Sequence, residues 1–182
     1  MMGVSHEIGA AMICVYLSPV VVNLSGATSD KDKMIATNLF AAGAMVGALL
    51  PDADTPQSTL GRILFPIAWP IYLIRWLIKT FYRSKYVDMI LGHRGITHYP
   101  SFWMVLLIPL MIFSVPFTRM LCIGLFFGVL SHLILDYIAG GLRLLMPFSK
   151  KKYKTKWNIK TGGIAEAFIS VIMLLIISLK FI

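Results

Sequence analysis

The sequence predicts an all-α, polytopic membrane helical bundle, with about five transmembrane helices plus an interfacial or re-entrant segment near residues 63–90. Three observations carry this reading. The 182 residues are 58% hydrophobic and 14% charged, with a mean hydropathy of +0.79, more apolar surface than one soluble core of this size can bury. Apolar stretches recur over residues 8–24, 35–50, 63–78, 102–115, 120–139 and 164–179, several of them shorter than the roughly 20 residues a bilayer core asks of a helix. All 4 histidines lie in or beside those stretches, each in a short polar signature. Ionisable groups at membrane depth are costly unless they pair, bind a cation or line a wet cavity, so the pattern reads first as a metal site.

The longest polar run, residues 150–163, is too short for a separate module, and 1–182 reads as a single domain. The first stretch follows Ser5-His6-Glu7 and begins without a basic group, which distinguishes a retained helix from a signal peptide. The second ends at Pro51-Asp52-Ala53-Asp54, back on the face where His6 began. The third contains Pro66 and Pro70 and carries Arg75 and Lys79. Prolines break the backbone ladder and the cations favour an interface, so this segment is expected not to cross.

That expectation has a consequence for His93 and His98. A full third crossing would put them about 30 Å from Asp52, whereas an interfacial segment keeps all three at one depth. The fourth stretch then goes out, and the fifth returns with His132 and Asp136 near its end. Thr161-Gly162-Gly163 is a turn signal, after which Glu166 opens the last helix on the same face.

The net charge of +9 comes from 17 Lys and Arg against 8 Asp and Glu. In this topology 13 of the 17 basic residues share the face of the histidines, since only Lys31, Lys33, Arg119 and Lys180 lie opposite. The positive-inside bias makes that face cytoplasmic. Beside apolar spans the charge points to anionic lipid head groups rather than nucleic acid. The stretch Ser149–Lys160, with Tyr153 and Trp157 among its lysines, suits head-group depth. Its plainer reading is topogenic charge alone. Cys14 and Cys122 lie inside apolar runs without CxxC spacing, which excludes a disulfide framework and a thiolate site.

His132 and Asp136 are four residues apart, so on a helix both project from one face and reach one cation, the alternative being an internal hydrogen-bonded pair. His93 and His98 bracket Gly95, and Thr97 is placed to cap the helix entered through Pro100. In an extended segment Asp52 and Asp54 point to one side and add oxygen ligands; alternatively they only cap the next helix. His6 and Glu166 complete the candidate metal ligands. Mixed imidazole and carboxylate ligation calls for one or two divalent ions, Zn2+ ahead of Mn2+ or Fe2+. His6-Glu7 is not an HExxH motif, because Ala10 stands where the second imidazole belongs, and no G-x-S-x-G, P-loop or G-x-G-x-x-G occurs.

His6, PDAD at 51–54, HRGITH at 93–98, HLILD at 132–136 and TGGIAE at 161–166 occur in this order along nearly the whole chain. In that combination the sequence resembles the bacterial inner-membrane metal-dependent hydrolase family typified by YdjM, of LexA-regulated type. That family is similar in turn to the helical zinc-dependent phospholipase C and P1 nuclease group. The resemblance implies an inner-membrane location and metal-dependent phosphoester hydrolysis. This chain has fewer histidines than the distant group and a largely apolar body.

The expected activity is cleavage of a phosphoester, in a lipid or lipid-linked substrate, by a metal-activated water at the cytoplasmic face. Asp52 or Asp54, whichever is not a ligand, is the expected base, with Asp54 named as the catalytic carboxylate, and Arg94 is the expected stabiliser of charge on phosphate oxygens. One rival is a transporter of divalent cations or protons, which needs polar groups along a full path, whereas here they crowd one face. Another is a non-catalytic adaptor stabilised by a structural metal. Oligomeric state leaves no trace in the sequence. In a chain with Cys14→Ser and Cys122→Ser, single Arg83→Cys and Lys152→Cys substitutions are expected to react with impermeant maleimide only from the cytoplasmic side. Labelling of the two from opposite sides would rule out the five-span arrangement.

Overall fold

A computed structural model describes residues 3–82, 84–91, 95–156, 159 and 162–182. Its described residues form helices α1 (Gly3–Ser25), α2 (Asp30–Leu49), α3 (Thr59–Phe81), α4 (Lys85–Leu91), α5 (Pro100–Phe113), α6 (Pro116–Gly140) and α7 (Ile164–Ser178). Two 3-10 turns, Leu50–Asp54 and Ile96–His98, precede α3 and α5. A single antiparallel bridge, Leu142 to Tyr153, is the extended pairing among the described residues. The protein is an all-α membrane bundle.

Three stretches, Gly3–Ser25, Asp30–Asp54 and Pro116–Gly140, are long and apolar enough to cross a membrane. The 14 residues of α5 and the 15 of α7 rise only about 21 and 22 Å, short of a hydrocarbon core of about 30 Å. Length and composition alone therefore account for three of the five expected crossings. Thr59–Ile67 and Trp69–Phe81 meet at 99°, where Pro66 and Pro70 each remove a ladder donor. A helix bent this sharply is a broken span or a re-entrant segment. Ile63, Ile67, Trp69, Ile71 and Trp76 are all exposed along it.

The core is built around α2 and α6. Gly43 and Gly47 face Gly124 and Gly128 so closely that side chains would collide with backbone. A Cβ at Gly124 would lie 2.1 Å from the Phe40 carbonyl oxygen, and one at Gly47 would lie 2.3 Å from that of Leu125. Each helix thus carries a pair of glycines four residues apart that admits the other's backbone, the small-residue packing by which helices associate in lipid. Phe40, Ala44 and Ala48 are fully buried in the same seam.

α1 packs across this pair, where a Cβ at Gly9 would meet Ser131 Oγ at 2.7 Å. Its lower half joins Val21, Ala36, Phe40 and Met120 in one apolar cluster that also takes in Cys14. α5 closes the other side through Trp103 and Leu107 against Val129 and Leu133. α6 is capped by Gly141, whose φ of 76° turns the chain into the bridge and whose missing side chain clears the Tyr153 carbonyl.

A Gly124→Ile substitution drives a branched side chain into the α2 backbone and is expected to destabilise the bundle by at least about 1–3 kcal/mol. A thermal melt in detergent checks this. An unchanged midpoint would mean that the two helices do not meet at these glycines.

Candidate metal centre

α2 and α6 run parallel to each other and α1 antiparallel to both, which brings the start of α1, the end of α2 and the last third of α6 to one end of the bundle. His6 Nε2 lies 3.7 Å from Asp136 Oδ1. His98 Nε2 lies 3.3 Å from Asp52 Oδ1 and 3.5 Å from Asp136 Oδ2. His132 Nε2 lies 3.8 Å from Asp52 Oδ1. The His6 and His132 rings stack with centroids 3.7 Å apart, and His98 meets His132 edge-on at 5.3 Å. Four segments far apart in sequence thus converge on one buried point.

Two overlapping sets, His6 with Asp52 and His132, and His98 with His132 and Asp136, each hold their ligand atoms within 4.8 Å of one another. Metal bonds of about 2.1 Å at tetrahedral or octahedral angles put neighbouring ligand atoms roughly 3.0–3.4 Å apart, close to the separations found here. Both ring nitrogens of His6 and Nε2 of His132 are buried without a hydrogen-bond partner among the described residues. Leaving such a group unsatisfied costs about 1–3 kcal/mol, which a coordinated cation would offset. The residues therefore fit a divalent ion. Their chemistry, imidazole nitrogen with carboxylate oxygen, does not by itself distinguish zinc from manganese or iron.

Neighbouring groups orient the imidazoles. His132 Nδ1 lies 2.6 Å from the Ala48 carbonyl oxygen, which only accepts, so Nδ1 carries the proton and Nε2 is left with its lone pair facing the carboxylates. The Thr97 hydroxyl lies 3.2 Å from His98 Nδ1. This corrects the expectation that Thr97 caps α5. Residues Ile96–His98 form a 3-10 turn, the N-cap falls to Tyr99 without a side-chain bond, and Thr97 serves the imidazole instead. The turn is held by Trp103 Nε1 donating to the Thr97 carbonyl at 2.6 Å.

PDAD is likewise not extended but the 3-10 turn Leu50–Asp54. With three residues per turn, positions two apart point in different directions. Asp52 faces the histidines, and Asp54 belongs to neither ligand set. Its carboxylate receives Arg75 Nη1 at 2.9 Å, while the same guanidinium also donates to the carbonyls of Asp54 and Leu91, each at 2.6 Å. Tyr72 donates to the Ala53 carbonyl at 2.6 Å. Asp54 thus ties α3 to the segment bearing Asp52.

Glu166 is fully buried and lies in neither ligand set. It accepts from Ser5 Oγ at 2.5 Å and from the Gly162 amide at 2.7 Å, and Ser170 donates to Ser5 at 3.3 Å. This polar knot joins α7 to the residue preceding His6. His93 and Arg94 lie outside the described residues, as do Arg83 and Trp157. Ser5, Arg75 and Tyr72 entered no site expectation. Ser5 is legible as the neighbour of His6, but the partners of Arg75 and Tyr72 include backbone carbonyls that no motif announces.

Beside His6 and Asp52 opens a cavity of about 130 Å³ whose further walls include Gln57, Ser58 and Thr59. His6 and Asp52 thus border this polar-lined cavity as well as the cluster.

Across residues 1–182 the sequence matches the family described as YdjM inner membrane protein. The chain belongs to this family. It is also 35% identical over 136 residues, 72% of this chain and 71% of the relative, to a Bacillus subtilis (strain 168) protein described as uncharacterized protein YvsG. No solved structure matches it. Family membership places the protein in a membrane and leaves the chemistry of the His/Asp cluster to be argued from its geometry.

Metal titration of purified protein in detergent is expected to separate these roles. His132→Ala and Asp52→Ala should each weaken Zn2+ or Mn2+ binding by more than about 100-fold, and Thr97→Val by about 10-fold, in the range of a partner that only orients a ligand. Asp54→Ala should leave metal content unchanged. Full occupancy in His132→Ala would remove the cluster from consideration as the metal centre.

Proposed function

We propose that the protein is a multi-pass, membrane-bound, metal-dependent hydrolase that cleaves a phosphoester in a lipid or lipid-linked substrate at the cytoplasmic membrane face. One observation carries the reading: three imidazoles and two carboxylates from four distant segments gather at one point, with ring nitrogens of His6 and His132 that no described residue satisfies. A merely structural polar core has no need of imidazoles so placed, because hydrogen bonding alone would have satisfied the ring nitrogens of His6 and His132. A distant similarity to phospholipase C and P1 nuclease would point to the same chemistry.

His6, Asp52, His98, His132 and Asp136 are the residues that would hold the ion. When bound, a divalent ion supplies a water of lowered pKa and polarises a phosphoryl oxygen. The chain does the rest. Asp52 borders the polar cavity, and one of its carboxylate oxygens is placed to accept a proton from the attacking water. The water oxygen bonds to phosphorus, the ester P–O bond breaks, and the departing alkoxide takes up a proton to leave as an alcohol. His132, held by the Ala48 carbonyl, keeps one orientation throughout. Arg94 is the residue proposed to meet the charge on the phosphate. Asp54, bonded to Arg75, acts by anchoring α3 rather than as the base.

Zn2+- or Mn2+-loaded protein is expected to hydrolyse bis(p-nitrophenyl) phosphate or a diacyl phospholipid. Activity should disappear on chelation and return on adding metal. Asp52→Asn and His98→Ala should each lower kcat/KM by at least about 100-fold, and Asp54→Asn by far less. A metal-loaded protein inert toward both substrate classes would overturn the hydrolase reading and favour a structural metal in an adaptor.

A further inference from the structure

On the far side of the segment that carries His98 lies an apolar groove of about 470 Å³, walled by Ile90, Ile96, Tyr99, Phe102, Leu106 and Met146 among others. His98 and Tyr99 are consecutive, His98 closing the 3-10 turn and Tyr99 following in extended backbone, and their side chains meet different surroundings. His98 points into the metal centre and Tyr99 into the groove, where its hydroxyl is anchored on the Met89 carbonyl at 2.5 Å. The segment 96–99 therefore contributes to both.

The groove runs without interruption into the outer surface of α5. Val105, at 77% exposed, is on its rim, and Leu110, Ile112 and Phe113 continue an exposed apolar face along the same helix. In a membrane protein that face is covered by hydrocarbon, so the concavity continuous with it is filled by hydrocarbon as well. Pro147, also in its wall, leads within a few residues to exposed Lys151 and Lys152, a basic margin that suits an anionic head group.

We propose that the groove binds an acyl chain of an anionic phospholipid, and that this lipid is the substrate whose phosphoester reaches the His/Asp cluster. The proposal rests on the hydrolase reading for the second clause only. The lining is nearly wholly apolar, and the hydroxyls of Tyr99 and Ser101 in its wall are taken up by the Met89 and Met146 carbonyls, which suits an acyl chain better than a polar metabolite. It also explains why Tyr99 and His98 share one short segment, since a chain held against Tyr99 carries its head group past residues 96–99.

The test uses purified full-length protein in nanodiscs doped with phosphatidylglycerol bearing a diazirine on one acyl chain, with adducts mapped by mass spectrometry. Adducts are expected to concentrate on residues 96–106 and 146–147. They should fall by about tenfold in Leu106→Trp and in Ile90→Trp, which fill the groove from two different helices. Leu110→Trp, one turn further along α5, should leave them unchanged. In the same variants hydrolysis of diacyl phosphatidylglycerol should drop while that of bis(p-nitrophenyl) phosphate and the metal content persist. Adducts spread evenly over α1, α5 and α7 and indifferent to both tryptophans would show ordinary annular lipid only and overturn the proposal. So would equal loss on both substrates in two variants that retain metal. Groove adducts with no hydrolysis of either substrate would leave the binding site standing and bring down the hydrolase reading instead.

Discussion

Backbone contact between α2 and α6 is the constraint from which the His/Asp cluster hangs. Lipid offers no hydrophobic drive for two apolar helices to meet, so close packing and buried hydrogen bonds must hold them. Four glycines allow that packing. The same closeness lets the Ala48 carbonyl reach His132 Nδ1 at 2.6 Å, which sets the tautomer of a ligand. Pushing the helices apart by one side chain would thus cost both dispersion energy and the orientation of an imidazole.

The other ligands are attached to this pair by separate devices. Asp52 follows α2 directly, and the 3-10 turn aims it inward while sending Asp54 to Arg75. His6 arrives on α1, whose first turn is tied to α7 through Ser5 and Glu166. His98 is delivered by a turn held by Trp103. Because the ligands come from several different elements, a bound cation would also close the bundle. Metal affinity and bundle stability are coupled in such an arrangement.

Much of the centre is legible in the sequence. His6, Asp52, His98, His132 and Asp136 belong together because ligands of one cation must lie at one depth, and that rule arranges the helices. Asp54 and Glu166 are expected beside them on the same grounds, yet they hold α3 and α7. Depth constrains which groups can meet but not which way they point. For PDAD the direction depends on whether the backbone is extended or 3-10, a choice the flanking packing makes. The glycine seam is readable in GAMVG and GLFFG, since glycines four apart on an apolar helix are a packing signal.

Composition and spacing by themselves determined that this is a helical membrane protein whose histidines and aspartates gather at one end, because hydropathy and the cost of buried charge act locally along the chain. Three-dimensional packing decided which carboxylates face the histidines, how α3 bends, and that an apolar groove backs onto the His98 turn. Those outcomes depend on contacts between segments that are distant in sequence, and on backbone carbonyls as partners. A linear string of side chains carries no record of either.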